Sequence, residues 1–139
     1  VRALTALFRA HPGPNNSVYG FITSPRDIHP AVLESRMRWA SASGVLVFLP
    51  VLMDGDFAPA DRGKVLAMED RRNRELLSDL VAAKPGVIVV DDAPSKLGIR
   101  VGNFDYLGYF ARYHEFVRFM RGYTEQTRMG DLRIFLRKD

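Results

Sequence analysis

The sequence predicts one small α/β domain, and three observations support that prediction. The chain has 139 residues, which suits a single core. Its content of 47% hydrophobic and 26% charged residues is typical of a globular protein and not of a disordered one. A predicted helix leads directly into the apolar run 86–90, and a helix followed by a buried strand is typical of α/β domains. We therefore expect helices packed on a mostly parallel or mixed sheet of about four or five strands.

The first half of the chain predicts two helical and two extended segments. Apolar residues recur at helical spacing over residues 1–10, and His11-Pro12 ends this helix. Residues 17–23 are rich in β-branched and aromatic types, which predicts a strand, and residues 30–36 suit one or two helical turns. The continuous apolar run 44–49 is typical of a strand buried on both faces.

A long helix is predicted over residues 61–83, with Asp61 as its N-cap and Pro85-Gly86 beyond its end. Its apolar face is interrupted halfway, since polar residues separate an early apolar pair from a later apolar group. The early pair is Val65 and Leu66, the later group is Leu76, Leu77, Leu80 and Val81, and Glu69, Arg72 and Asn73 lie between them. We expect this helix to overhang the sheet or to border a polar cleft.

Aromatic residues recur at three- and four-residue steps over residues 104–122, which predicts a single helix there. They are Tyr106, Tyr109, Phe110, Tyr113 and Phe116, continued by Val117 and Met120. Arginines occupy the other side, so we expect the aromatic face in the core and the arginines in solvent. The alternating tail 132–137 follows a turn at Gly130 and predicts a final edge strand or a hairpin.

Several kinds of chemistry lack the residues that they need. The chain has no cysteine, its three histidines do not have a metal-binding spacing, and it lacks the glycine-rich phosphate loops and the GxSxG turn of serine hydrolases. We predict no catalytic residue, no metal and no cofactor in this segment. The net charge of +4 comes from basic residues spread along the chain, and we predict no nucleic-acid partner.

The best candidate for ligand binding follows the strand 86–90. Asp91 and Asp92 come directly after it, and open α/β sheets often place ligand-contacting groups at that end of a strand. Lys96 and Arg100 are then positioned to reach an anionic group, and Tyr106 to offer an aromatic face to a sugar. The alternative interpretation is an acidic turn before a proline, followed by solvated basic side chains.

The chain opens at Val1 with no initiator methionine and no signal-peptide pattern, so we interpret it as part of a longer protein. Three stretches then carry a resemblance: Ile28-His29-Pro30 with Ser35 to Ser41 and Leu49-Pro50, residues 80–92, and residues 104–123 with the tail 132–137. Together they resemble the C-terminal region of bacterial inner-membrane proteins of the glycosyltransferase family 39 type, which includes mannosyltransferases and aminoarabinose transferases.

The resemblance implies a periplasmic location and a parent protein that transfers a sugar from a polyprenyl-phosphate carrier. In that family the catalytic acids lie in the membrane part, so no catalytic residue is carried over to this chain. The implied function is that of an accessory domain, attached to the membrane-embedded part of the same chain, which helps to bind or position the acceptor or the lipid-linked sugar. Two alternatives stay open: a stand-alone ligand-binding or regulatory module, and a small enzyme that uses Asp91 or Asp92.

Overall fold

The computed structural model describes residues 1–24, 28–42, 46, 57–94, 96, 102 and 104–138. Within these ranges five strands form one mixed sheet, in the order β2-β1-β3-β5-β4. The strands are β1 (Ser17–Phe21), β2 (Arg38–Trp39), β3 (Val87–Asp91), β4 (Tyr123–Met129) and β5 (Leu132–Arg137). The helices are α1 (Arg2–Ala10), α2 (His29–Ser35), α3 (Arg62–Ala83), α4 (Tyr106–Phe110) and α5 (His114–Met120), and a 3₁₀ turn, Pro59–Asp61, precedes α3. The predicted fold class is confirmed.

The sheet has a parallel half and an antiparallel half. β1 pairs in parallel with β2 and with β3, whereas β5 runs antiparallel to both β3 and β4. As a result β1, β2, β3 and β4 all point the same way. We call the edge of the sheet where these four strands begin the amino edge, and the opposite edge the carboxyl edge.

The two faces of the sheet are covered by different kinds of core. On one face, α1 and α2 bury a mainly aliphatic cluster that includes Leu4, Ile22 and Val89. On the other face, α3, α4 and α5 cover an aromatic cluster: Tyr19, Phe21, Tyr106, Phe110, Phe116 and Phe135 belong to it. Alternation along β1 and β3 sends successive side chains to opposite clusters, as a central strand requires.

Two turns meet closely at the amino edge. Gly13 has a positive φ of 65°, and a Cβ atom on Gly86 would lie 2.0 Å from the carbonyl oxygen of His11. A side chain at position 86 would therefore push apart the α1–β1 turn and the α3–β3 turn. Glycine at these positions lets both helices end close to the strands that follow them.

The prediction of one helix over residues 104–122 is wrong, because the chain forms α4 and α5 with a break between them. Tyr113 has an extended backbone at φ −98° and ψ 123° and immediately precedes α5. Its hydroxyl donates to Asp70 in α3, so the break brings this ring to α3. The inward direction of the aromatic face is confirmed, since Tyr106, Phe110 and Phe116 are all buried.

Three other predictions need correction or fall outside the described residues. The tail does form a hairpin, but β5 lies inside the sheet and β4 is an edge strand. The polar sequence of β4 did not predict a strand. Leu66 and Val81 do not join the apolar face of α3, since 57% and 51% of their surfaces are exposed. The strand predicted over residues 44–49 lies outside the described residues except for Leu46, which is buried and donates its N–H to the carbonyl of Ile22.

Candidate functional site

The two acids predicted to contact a ligand lie at the carboxyl edge and interact with other groups of the protein. Asp91 is the last residue of β3, and its Oδ1 accepts the N–H of Ala93 at 2.9 Å. Oδ2 of Asp92 lies 2.6 Å from Nη1 of Arg128 in β4. The acidic turn of the alternative interpretation is therefore present, and the β4–β5 hairpin adds a cation to it.

Lys96 and Tyr106 lie beside the same turn. Lys96 has only 4% of its surface exposed, and its Nζ donates to the carbonyl of Ala93 and lies 5.8 Å from the centre of the Tyr106 ring. Tyr106 is buried, and this burial raises the pKa of its phenol above the ordinary value, with the charge of Asp91 adding to the rise. The structure thus brings Asp91, Lys96 and Tyr106 together and turns Asp92 towards β4, and Arg100 lies outside the described residues.

A second candidate site is an open groove between β2 and the last turns of α3, which we call the β2–α3 groove. Its volume is about 530 Å³. Polar side chains and one tryptophan line it, together with four alanines: Asn15, Ser17, Arg38, Trp39, Ala40, Ser41, Ala42, Asp79, Ala82 and Ala83. A concave site of this size with a few directed polar groups suits a small ligand.

Hydrogen bonds fix both walls of the β2–α3 groove. Oδ2 of Asp79 accepts Oγ of Ser41 at 3.1 Å and the N–H of Ala42 at 3.3 Å, which ties the chain after β2 to α3. Nδ2 of Asn15 and Oγ of Ser17 donate to the carbonyl of Ala83 at 2.9 Å and 3.1 Å, at the end of α3. These carbonyl and carboxylate acceptors hold the lining residues in place before any ligand arrives.

Trp39 is held over β1 by close packing. Gly20 leaves the space, because a Cβ there would lie 3.2 Å from the indole and 2.3 Å from Ile28. The indole centre lies 5.0 Å from that of Tyr19 and 4.7 Å from that of His29, whose ring meets it edge-on. Burial lowers the pKa of His29 below its ordinary value, so this imidazole is neutral at pH 7.

The groove also contains two charged side chains with hydrogen-bonding atoms that the described residues do not pair, Arg38 and Asp79. Arg38 is exposed and forms no ion pair with any residue that the structure describes. Asp79 is half-buried, and among the described residues its Oδ1 has no hydrogen-bond partner. A cationic donor, a carboxylate acceptor and a tryptophan within one groove suit a ligand that carries hydroxyl groups and a negative charge.

A polar cluster on α3 forms hydrogen bonds with two tyrosines, Tyr109 in α4 and Tyr113 just before α5. Nδ2 of Asn73 donates to the hydroxyl of Tyr109 at 3.0 Å and to that of Tyr113 at 3.4 Å. These hydroxyls donate in turn to Glu69 and Asp70, and burial raises the pKa of both phenols. Of the predicted polar interruption, Glu69 and Asn73 therefore contact the α4–α5 segment, whereas Arg72 is exposed.

Among the described residues no three His, Asp or Glu side chains come close enough together to hold a metal ion. No helix in the same part of the chain combines the length and the apolar content that crossing a bilayer requires. No family model matches the chain, and no curated protein and no solved structure is significantly similar to it. The fold and the groove define a small mixed α/β domain with an open polar groove between β2 and α3.

Sequence reasoning did not find the β2–α3 groove. In the sequence, Arg38, Trp39 and Ser41 belong only to a stretch that carries the resemblance. Asp79 lies 38 residues from Ser41, and the two meet only because α3 returns alongside β2. The one available signal was a tryptophan beside an arginine in a segment as short as β2.

Proposed function

We propose that this chain is an accessory ligand-binding domain of a bacterial inner-membrane glycosyltransferase, attached at the periplasmic face to the membrane-embedded part of the same chain. Its role is to bind or position the lipid-linked sugar or the glycan acceptor, and the proposal assigns no catalytic residue to it. The attachment, the location and the sugar chemistry come from the resemblance in the sequence. The observation that supports binding is the β2–α3 groove.

The groove supports this role through the chemistry of its lining. A sugar ring has an apolar C–H face and a rim of hydroxyl groups, so it is suited by an aromatic ring beside hydrogen-bond donors and acceptors. Trp39 supplies the aromatic group, Asp79 accepts from hydroxyls, and Arg38 suits a phosphate carried by the same ligand. The carboxyl edge offers less, because Asp91, Asp92 and Lys96 already contact other parts of the protein.

Chemical-shift mapping on the labelled chain tests the proposal. The probes are a short oligosaccharide and a polyprenyl-phosphate head-group analogue, each titrated to millimolar concentration. We expect the shifts to concentrate in residues 15–17, 38–42 and 79–83. Shifts confined to residues 91–106 would place binding at the carboxyl edge instead, and no shifts with either probe would overturn a sugar-binding role.

Two substitutions separate the groove from general surface effects. Arg38→Gln should weaken binding of the phosphate-containing probe by about tenfold, and leave the uncharged oligosaccharide less affected, because a charge-assisted hydrogen bond is lost. Arg118→Gln, an equal charge change at an exposed position of α5, is the matched control and should have no effect. Equal losses in both variants would mean that the phosphate is attracted only by net charge.

A further inference from the structure

The amino edge of the sheet carries a concentration of exposed basic side chains. Four helices, α1, α2, α3 and α5, each end within a few residues of the start of a strand at this edge. Cations lie at these helix ends, at the start of β2 and after the end of β5. We call them the basic edge: Arg9, Arg36, Arg38, Lys84, Arg121 and Lys138, all of them exposed.

Acids in the described part of the chain leave the basic edge without ion pairs. None of its six side chains forms an ion pair within the part of the chain that the structure describes. The described acids closest to it along the chain are Glu34, Glu125 and Asp79. Glu34 accepts the hydroxyl of Thr5, Glu125 pairs with Arg133, and Asp79 accepts from Ser41. A sheet of five strands is about 19 Å wide, so the six charges are distributed along an edge of about that breadth.

Helix capping accounts for only part of this basic edge. Arg9 donates to the carbonyl of Glu34 at 2.7 Å, and Lys138 donates to that of Arg121 at 3.1 Å. Arg36 and Lys84, in contrast, are C-caps with positive φ values of 60° and 49°. Glycine and asparagine adopt this conformation with the least strain, so the two cations occupy positions that the backbone would fill better with neutral residues.

An exposed leucine beside these cations indicates which kind of polyanion the basic edge fits. Leu33, in the last turn of α2 and three residues before Arg36, has 79% of its surface exposed. An apolar side chain next to cations gains by entering the boundary between lipid headgroups and acyl chains, whereas a phosphodiester backbone offers it nothing. The large hydrophobic side chains exposed in the described part are all aliphatic, so none of them gives bases a ring to stack on.

We infer that the basic edge is a docking surface for an anionic phospholipid bilayer, with Arg36, Lys84 and Arg121 contacting lipid phosphates and Leu33 entering the interface. The argument rests on the charge and exposure of this edge, and of its six cations only Arg38 also lines the β2–α3 groove. The three cations named here do not line that groove. Loss of sugar binding and loss of membrane binding are therefore separately measurable.

Cosedimentation of the chain with vesicles tests the inference. We expect binding to vesicles of phosphatidylglycerol and phosphatidylcholine, none to phosphatidylcholine alone, and a decline as salt is added. The triple variant Arg36→Asn, Lys84→Asn and Arg121→Gln should bind roughly 100-fold more weakly, since each cation near a charged bilayer contributes about fivefold. Asparagine tolerates the positive φ, so the variant should melt no lower than the wild type.

A matched variant and a second probe complete the test. Lys64→Gln, Arg71→Gln and Arg72→Gln remove the same charge from exposed positions of α3 and should leave vesicle binding almost unchanged. Leu33→Gln should weaken vesicle binding several-fold. Equal losses in the two triple variants, no binding of the wild type to anionic vesicles, or tighter binding to a short DNA duplex than to those vesicles would each overturn the inference.

Discussion

The two edges of the sheet differ in what their charged side chains do. At the carboxyl edge, Asp91 caps a turn, Asp92 pairs with Arg128, and Lys96 is buried against Ala93 and Tyr106. At the amino edge, six exposed cations form no ion pair within the described residues, and the β2–α3 groove opens beside them. In this molecule the charges of the carboxyl edge contact other protein groups. At the amino edge Arg9 and Lys138 donate to helix carbonyls, and the other cations are exposed to a ligand or a surface.

The antiparallel half of the sheet causes this difference. In an open parallel sheet the carboxyl edge is a crevice where ligands gather. Here β5 adds antiparallel to β3, and the hairpin to β4 carries Arg128 and Arg133 to the carboxyl edge. The pKa of Arg133 is raised mainly by its hydrogen bond to Glu125. The charges of Asp92 and Asp105 add smaller contributions to this rise. The hairpin therefore places two arginines beside Asp92, an acid that would otherwise be open to a ligand.

The largest expected effect on stability is at Phe110, which packs under the carboxyl edge against the end of β1. Its ring centre lies 5.3 Å from that of Phe21, the last residue of β1, and 5.7 Å from that of Phe116. Phe110→Ala should lower the free energy of unfolding by about 3–5 kcal/mol, as large core truncations do. Arg118→Ala, on the exposed side of α5, should change it by less than about 0.5 kcal/mol. Urea unfolding measures both, and equal small effects would mean that the aromatic face is not part of the core.

The parts of the fold that the sequence predicted correctly are those with a local pattern. Spacing and turn residues were enough for α1, α3 and β3, and the aromatic repeat correctly predicted an inward face for α4 and α5. The break at Tyr113 was not predictable, because it depends on a contact with Asp70, 43 residues earlier. Neither was the pairing of Asp92 with Arg128, nor the meeting of Ser41 with Asp79, since both depend on how distant elements pack.

A paired substitution tests the difference between the edges directly. Lys96→Met should lower the free energy of unfolding by about 1 kcal/mol, because the half-buried Ala93 loses the donor to its carbonyl. Lys84→Met makes the same change at the amino edge, where the side chain is exposed, and should cost less than about 0.5 kcal/mol. If Lys96→Met leaves stability unchanged and instead weakens binding of the phosphate-containing probe, the carboxyl edge is the ligand site.

The smallest expected effect is a pH dependence that arises beside the groove, at His29. Burial lowers the pKa of this histidine below the ordinary value of 6.5. Between the lower folded value and 6.5 the unfolded chain binds more protons than the folded chain, so stability is full above pH 6.5 and falls as the pH decreases through the folded pKa. His29→Phe keeps an aromatic edge on Trp39 and removes the titration, so its melting temperature should depend less on pH over this window than that of the wild type.

His114→Phe, at an exposed position of α5, should retain the wild-type dependence. If His29→Phe and the wild type lose stability equally as the pH falls, the imidazole is as well hydrated in the folded chain as in the unfolded one, and the packing of His29 on Trp39 is looser than the structure describes.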